Sequence, residues 1–303
     1  PLILTNARVM AEAGVAAEDL DPSDPVGLID AAEAMTATEG GSISRVGFDP
    51  QGVSKAAMWM LSFGGGIVDE SGAPTLDRAE NVEAATFLQQ LYDAQGGFAE
   101  VSSLVDSFDL FGDENPYVTD QVGAAVFDQW YVNVLTPYAE QVEIGAVPLR
   151  NQEGEDFTAA GGSSFVIPAG AANPSAACAW ALQLTSPEAW QAAAEARATT
   201  TEEEPERLGI NAGLFTGSPE SDTAIRENFA SAEGFPGFQG AIDSYYDVAA
   251  EGTSLGGSPA GQQIQTELQN AMQSILLGDS SAEDALTAAQ EAAQRAYDQV
   301  STE

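Results

Sequence analysis

Short apolar runs alternate with longer segments in which apolar and polar residues are mixed. The runs are flanked by polar or turn-forming residues, a pattern typical of buried strands. The predicted strands are 2–4, 44–48, 122–127, 144–147 and 164–167. Between them, apolar residues recur at spacings of three and four, which predicts helices that bury one face. The mixture of short strands and intervening helices predicts an α/β fold.

Capping residues predict where individual helices begin and end. Asp77, with Glu80 three residues later, forms a capping-box pattern, and the helix that follows is expected to stop at Gly96. Ser281 with Asp284 shows the same pattern and predicts the start of the last helix. Both patterns precede segments with helical apolar spacing, so each predicts a helix that packs on the core.

The charge is strongly one-sided. Asp and Glu number 47 against nine Lys and Arg, a formal net charge of −38. The acids are spread along the chain, and the acid-rich run 199–206 is predicted to be a solvated loop. Phosphate and anionic membrane surfaces need basic patches, so a nucleic-acid or membrane-surface partner is disfavoured. Self-repulsion is largely removed at molar salt, where the screening length is roughly 3 Å. We therefore expect a halophilic protein.

Histidine is absent and Cys178 is the single cysteine. These counts rule out Ser-His-Asp and Cys-His centres, histidine-based zinc sites and an internal disulfide. Cys178 lies in a small apolar helical stretch and is predicted to be buried. We expect no catalytic residues, no metal and no cofactor. A glycosidase that uses paired carboxylates is the remaining enzymatic alternative, because abundant acids bring some pair together by chance.

Five segments, in this order, resemble the extracellular solute-binding proteins of family 1, the maltose-binding type. They are PLILTNARVMAEAGV at 1–15, WMLSFGGGIVDESGAPTLD at 59–77, VTDQVGAAVFDQW at 118–130, GGSSFVIPAGAANPSAACAWALQLTSPEAWQ at 161–191 and LLGDSSAEDALTAAQEAA at 276–293. The resemblance implies a binding protein that captures a solute outside the cell and delivers it to the membrane permease of an ABC importer. It implies no covalent chemistry and a monomer.

The resemblance also implies a periplasmic-binding-protein-like fold of type II, with two α/β lobes, a hinge and an interlobe cleft. Residues 1–160 would form most of the second, C-terminal lobe, and 161–232 would return to the first. Residues 233–303 would recross and complete the second lobe. The start of the first lobe would be absent from this sequence. The lipid anchor expected to tether such a protein to the outer face of the cytoplasmic membrane would be absent with it.

A carbohydrate site needs aromatic platforms for the C–H faces of the sugar and fixed polar groups for its hydroxyls. The richest candidate cluster is 127–131, at the end of a predicted strand. The resemblance makes Trp130 the stacking platform, with Asp128 accepting hydrogen bonds from hydroxyls and Tyr131 beside them. The alternative is that Trp130 belongs to the core and that Asp128 caps a helix.

Further candidates lie elsewhere in the sequence. Trp59 and Phe63 are predicted either to face the cleft or to belong to a buried helix. Gly162 and Ser163 precede the predicted recrossing strand, where the resemblance brings a loop to the ligand; hinge geometry is the alternative. Tyr245, near the second recrossing, is another candidate platform.

The expected ligand is a mono- or oligosaccharide. A polyol, glycerol phosphate or a polyamine could bind to the same fold. A phosphate group would need basic residues, and none of the nine lies beside the Trp130 cluster in the sequence, so phosphate ranks low. A surface-layer role predicts repeats, which are absent from the sequence.

Overall fold

The computed structural model describes residues 1–301, within which eight strands and twelve α-helices form. The strands are β1 (Leu2–Asn6), β2 (Ala37–Glu39), β3 (Ser42–Asp49), β4 (Val122–Phe127), β5 (Ile144–Val147), β6 (Leu149–Arg150), β7 (Asp156–Ala160) and β8 (Gly252–Ser254). The helices are α1 (Ala7–Ala13), α2 (Pro25–Met35), α3 (Ala56–Ser62), α4 (Ala79–Ala94), α5 (Phe98–Val105), α6 (Trp130–Leu135), α7 (Pro174–Leu184), α8 (Pro187–Glu203), α9 (Pro219–Phe229), α10 (Pro236–Ala249), α11 (Gly261–Leu276) and α12 (Ala282–Val300).

The main sheet has five strands in the order β2-β3-β4-β1-β5. β3 and β4 are parallel, whereas β1 is antiparallel to both of its neighbours, β4 and β5. Strands β3, β4 and β5 therefore all end at the same edge of the sheet, and β1 begins there. In the register, Asp49 lies opposite Ala125, and Phe127 lies opposite Leu2. A smaller sheet has the order β6-β7-β8.

Helices cover both faces of the main sheet, and two apolar cores result. Alternating residues of β4 point to opposite sides: Val126 belongs to the larger core, and Phe127 to the smaller one. The larger core includes residues of α2, α3, α4, α11 and α12, and the smaller core includes residues of α6 and α10. All six residues of β4 are buried, which explains why this strand appears in the sequence as an unbroken run of small and apolar residues.

Four of the five predicted strands are confirmed as β1, β3, β4 and β5, but the fifth is wrong. Residues 164–167 form no strand, and the side chains of Phe165 and Val166 are 60% and 82% exposed. Cys178 is exposed, contrary to its predicted burial, and α7 contains no buried residue. The apolar pattern of this region is real, but the described chain supplies no surface for it to pack on.

The helix boundaries agree with the capping patterns to within two residues. The Ser281 hydroxyl accepts a hydrogen bond from the Asp284 N–H at 3.1 Å, which confirms the predicted start of α12. The helix predicted from Asp77 begins at Ala79, and it ends at Ala94 with Gln95 as its C-cap, so Gly96, with a φ of 103°, follows the helix end as predicted. The start of α4 is thus one residue later than the Asp77 cap predicts. A difference of one residue at a helix end is small.

The loop predicted at 199–206 is helical in its first part, because α8 continues to Glu203. Glutamate is a good helix former, so a run of glutamates is compatible with a solvated helix as well as with a loop. Across residues 1–301, no helix combines the length and the apolar character needed to cross a membrane.

Candidate functional site

Two segments with polar and aromatic side chains meet at the edge where β3 and β4 end. In open α/β sheets this edge is a usual place for ligand contacts. The turn after β3 is held by Gln51, whose backbone has a left-handed φ of 51°. The side-chain amide of Gln51 donates a hydrogen bond to the Val126 carbonyl at 2.8 Å. The backbone carbonyl of Gln51 accepts a hydrogen bond from the backbone N–H of Lys55 at 2.8 Å. The turn is thereby fixed against the end of β4.

Trp130 forms a partly exposed platform beside this turn. It is the first residue of α6, and 45% of its surface is exposed. The indole lies nearly parallel to the ring of Phe111, with 18° between the planes and 6.0 Å between the centroids. Phe127 and Tyr131 contact it edge-on, at centroid distances of 6.5 and 5.5 Å. Three rings therefore hold the indole in place while nearly half of it stays open to solvent.

Phe111 is a site residue that the sequence reading missed. Its side chain is 68% exposed and lies in an irregular, acid-rich segment that predicts only a loop. The sequence offers one signal that Phe111 has a role at a site: it is a large aromatic residue among turn-forming residues, where a core residue is not expected. Its contact with Trp130 spans two segments and becomes visible only in the fold.

Asp128 forms an ion pair with Lys55 at the same edge. Nζ of Lys55 lies 2.7 Å from Oδ2 of Asp128, and the two side chains are 23% and 43% exposed. Burial by itself would raise the pKa of Asp128, but the hydrogen bonds and charges of Lys55 and of the N-terminal amino group together outweigh it and lower that pKa. The sequence predicted no basic residue beside the Trp130 cluster. This prediction is wrong, because the fold brings Lys55 into contact with Asp128. The pair offers a hydrogen-bond donor and an acceptor next to the platform.

Tyr131 and Tyr245 are buried and pack beneath the exposed residues of the site, against Phe127 at the end of β4. Tyr131 is fully buried, stacks on Phe127 with 3.8 Å between centroids, and its hydroxyl accepts from the Asn115 amide at 2.8 Å. Tyr245 is 3% exposed and donates to the Phe127 carbonyl at 2.7 Å. These positions correct the expectation that either ring faces a ligand. Both instead hold the end of β4 from which Asp128 and Trp130 project.

Trp59 belongs to the core. Its side chain is fully buried, and its indole N–H donates to the Pro50 carbonyl at 2.9 Å. It also packs against Phe87, whose other contacts include Phe63 at 5.5 Å between centroids. Of the two interpretations left open by the sequence, the buried helix is therefore correct for Trp59, and the ligand-facing one is wrong. Phe63 is half-buried and packs on the same core.

Gly162 and Ser163 lie in an exposed irregular segment after β7. Within residues 1–301, neither residue has a hydrogen bond that links it to the Trp130 cluster. A contact between this loop and a ligand stays a prediction. In the same range, no group of three or more His, Cys, Asp or Glu side chains is arranged to hold a metal ion.

Several solved structures share this fold. CpMnBP1 with mannotriose bound is 19% identical, with a TM-score of 0.68 over 96% of this chain and 70% of that one. An ABC transporter solute-binding protein from Thermotoga lettingae, bound with α-D-tagatose, is 18% identical, with a TM-score of 0.68 over 98% and 70% of the two chains. An ABC substrate-binding protein from Listeria monocytogenes in complex with cycloalternan is 16% identical, with a TM-score of 0.65 over 97% and 68%.

These likenesses show that the α/β fold is the one found in periplasmic solute-binding proteins of the two-lobe type. No curated protein sequence matches the chain. Residues 1–203 match the sequence pattern of an extracellular family whose members bind solutes. This match covers the main sheet, the Trp130 platform and the Lys55–Asp128 pair. The chain therefore belongs to the bacterial extracellular solute-binding protein family.

Proposed function

We propose that this protein captures a carbohydrate outside the cell and delivers it to the permease of an ABC importer, without covalent chemistry. The observation that carries the proposal is the half-exposed Trp130 platform, which lies at the edge where β3 and β4 end, beside the Lys55–Asp128 ion pair. Support comes from structures of the same fold, in which mannotriose, tagatose and cycloalternan are bound.

The chemistry of the site favours a neutral, hydroxylated ligand. A pyranose ring presents an apolar C–H face that can stack on the open part of the indole. Its hydroxyls both donate and accept hydrogen bonds, so they can satisfy Asp128 and Lys55 together. A phosphate is disfavoured, because the Lys55 ammonium and the N-terminal amino group beside the platform are both already paired with the Asp128 carboxylate.

Replacing Trp130 by alanine is expected to weaken carbohydrate binding by about tenfold or more, because a stacked aromatic contact contributes on the order of 1 kcal/mol beyond the area it buries. The measurement is isothermal titration of the full chain in molar KCl against mannose oligosaccharides, maltodextrins, tagatose and ribitol. Leu277→Ala is the matched control, because it removes an apolar side chain of similar exposure (47%) from the end of α11. Absence of binding across the panel, or equal affinity of Trp130→Ala and the parent, would contradict the proposal.

We further propose that residues 161–232 belong largely to the first, N-terminal lobe, across a cleft from Trp130. Support comes from the exposed apolar side chains of this region, including Phe165, Trp180 and Leu182. The later part of the segment contacts the smaller core, which includes Ile210 and Ala232, and the Gln129 amide donates to the Ala212 carbonyl at 2.6 Å. The recrossing segment proposed at 233–303 is described up to residue 301. A crystal structure of the protein in which Phe165 and Trp180 are exposed would contradict this arrangement.

Halophilic adaptation is also a proposal, and it rests on the 47 acids that face only nine basic residues. Most carboxylates therefore have no basic partner, and they repel one another in dilute buffer. We expect the far-ultraviolet circular dichroism of the folded protein to be lost below a few tenths molar KCl and regained near molar salt. A matched titration with sucrose is the control, because sucrose stabilises folded proteins without screening the repulsion between carboxylates. Full structure in dilute buffer would refute the adaptation.

A further inference from the structure

A second candidate site lies between α5 and the main sheet. A cavity of about 440 Å³ opens there, bounded by α4, α5, the end of β3, β4 and the segment after α5. This volume is in the range of about 300–1,000 Å³ that is typical of small-molecule sites. Four aromatic rings line the cavity: Tyr92, Phe98, Phe108 and Phe127. Tyr92 and Phe98 meet edge to face, with 5.0 Å between their centroids.

The cavity also contains a buried carboxylate, with which no cation of residues 1–301 forms an ion pair. Asp49, the last residue of β3, is only 7% exposed, and its side chain accepts one hydrogen bond, from the Gln51 N–H at 2.9 Å. Burial raises the pKa of Asp49 to about 6, so the group is still ionised above neutral pH. Asp106 adds a second carboxylate to the lining. Among the residues that the structure describes, no Lys or Arg lines this cavity.

We propose that this cavity is a binding site for a small organic ammonium ion with an apolar body, such as a trimethylammonium compound. Aromatic faces attract the diffuse positive charge of such ions, and a buried carboxylate supplies the counter-charge. The apolar remainder of the lining suits the methyl groups. A bare inorganic cation fits poorly, because Ca²⁺ requires six or more oxygen ligands and the cavity wall is mainly hydrocarbon.

This site is separate from the proposed carbohydrate platform. Trp130, Asp128 and Lys55 do not line the cavity. The two sites share a wall, formed by Phe127 and the turn at 51–54. The inference therefore does not rest on the carbohydrate assignment, and each can fail without the other.

Choline chloride is a suitable probe, with 3,3-dimethyl-1-butanol as its neutral isostere. Isothermal titration of the full chain at constant ionic strength and pH 8 is expected to show saturable binding of choline and at least about tenfold weaker binding of the isostere. Asp49→Asn is expected to reduce choline affinity by at least about tenfold. It keeps the acceptor for the Gln51 N–H, so lost binding does not reflect lost folding.

Two further variants locate the site. Ser102→Phe fills the cavity from α5 and is expected to abolish choline binding, whereas Ser103→Phe, an exposed neighbour on the same helix, is expected to leave it unchanged. Trp130→Ala is expected to keep choline affinity while losing carbohydrate affinity, which separates failure of this proposal from failure of the proposed function. No saturable choline binding, equal binding of the isostere, or full binding by Asp49→Asn would overturn the proposal.

Discussion

Replacing Asp49 by asparagine is expected to stabilise the folded protein by roughly 2–3 kcal/mol at pH 8, because about 1.4 kcal/mol accompanies each pH unit of a pKa difference. Burial raises the pKa of this carboxyl from its ordinary value of 3.8 to about 6. Ionised Asp49 therefore opposes folding at neutral pH. Asparagine removes the charge and keeps an oxygen that can accept from the Gln51 N–H.

The pH dependence of this gain follows from the direction of the shift. A carboxyl whose pKa is raised by folding binds its proton more tightly in the folded state. Its favourable contribution is fully present below the unfolded pKa of 3.8 and is lost as the pH rises through about 6. The difference in unfolding free energy between Asp49→Asn and the parent should thus be near zero at pH 4 and level off above pH 7.

Denaturant unfolding at several pH values in molar salt measures this difference. The matched control is Asp93→Asn, which removes one negative charge from an exposed position on α4. If Asp93→Asn stabilises the protein as much, the effect comes from net charge rather than from burial. A gain that does not vary between pH 4 and pH 8 would equally contradict the assignment.

Replacing Trp59 by alanine is expected to cost about 3–5 kcal/mol of unfolding free energy, the usual range for a large buried aromatic side chain. Trp59 is fully buried, packs on Phe48 and Phe87, and donates its indole N–H to the Pro50 carbonyl. Trp130→Ala is the contrasting variant, and it should cost less than about 1 kcal/mol, because its side chain is half open to solvent.

The two tryptophans should thus separate stability from binding. Trp59→Phe provides a milder change, which keeps most of the apolar volume but loses the hydrogen bond to the Pro50 carbonyl, and it serves as the test if Trp59→Ala does not fold. Denaturant midpoints in molar salt give the stability order. A Trp59→Ala variant that folds normally and loses only ligand affinity would mean that Trp59 contacts the ligand after all.

The predicted strands succeeded where the described chain supplies a neighbouring strand. The run 122–127 coincides with β4 because all of its residues face one or other core. The run 164–167 has a similar apolar pattern, yet it has no partner strand in residues 1–301 and forms none. A strand is completed by hydrogen bonds to a neighbour, and apolar periodicity contains no information on whether that neighbour is present.

The residue pattern alone could not tell whether Trp59 or Trp130 is buried, and only the family resemblance favoured Trp130 as the platform. Both tryptophans lie beside apolar residues at helical spacing, and both were candidates for the ligand. Trp59 is completely buried, whereas Trp130 is 45% exposed. The difference arises because α3 lies against α4 in the larger core, whereas α6 begins at the open edge of the sheet. Helical spacing identifies which residues share a face, but the packing of helices determines which faces are covered.

By itself, the sequence determined the α/β class, four of the strands, and the position of Asp128 and Trp130 at a strand end. These are local properties, set by apolar periodicity and by turn-forming residues. Its composition also excluded histidine chemistry and an internal disulfide.

Only the tertiary structure decided what stands beside those two residues. Lys55 reaches Asp128 across 73 positions of sequence, and Phe111 reaches Trp130 from an irregular segment. Asp49 acquires its raised pKa from burial beside a cavity that no single segment forms. Such contacts depend on strand order and on the packing of helices against the sheet, which local spacing does not specify.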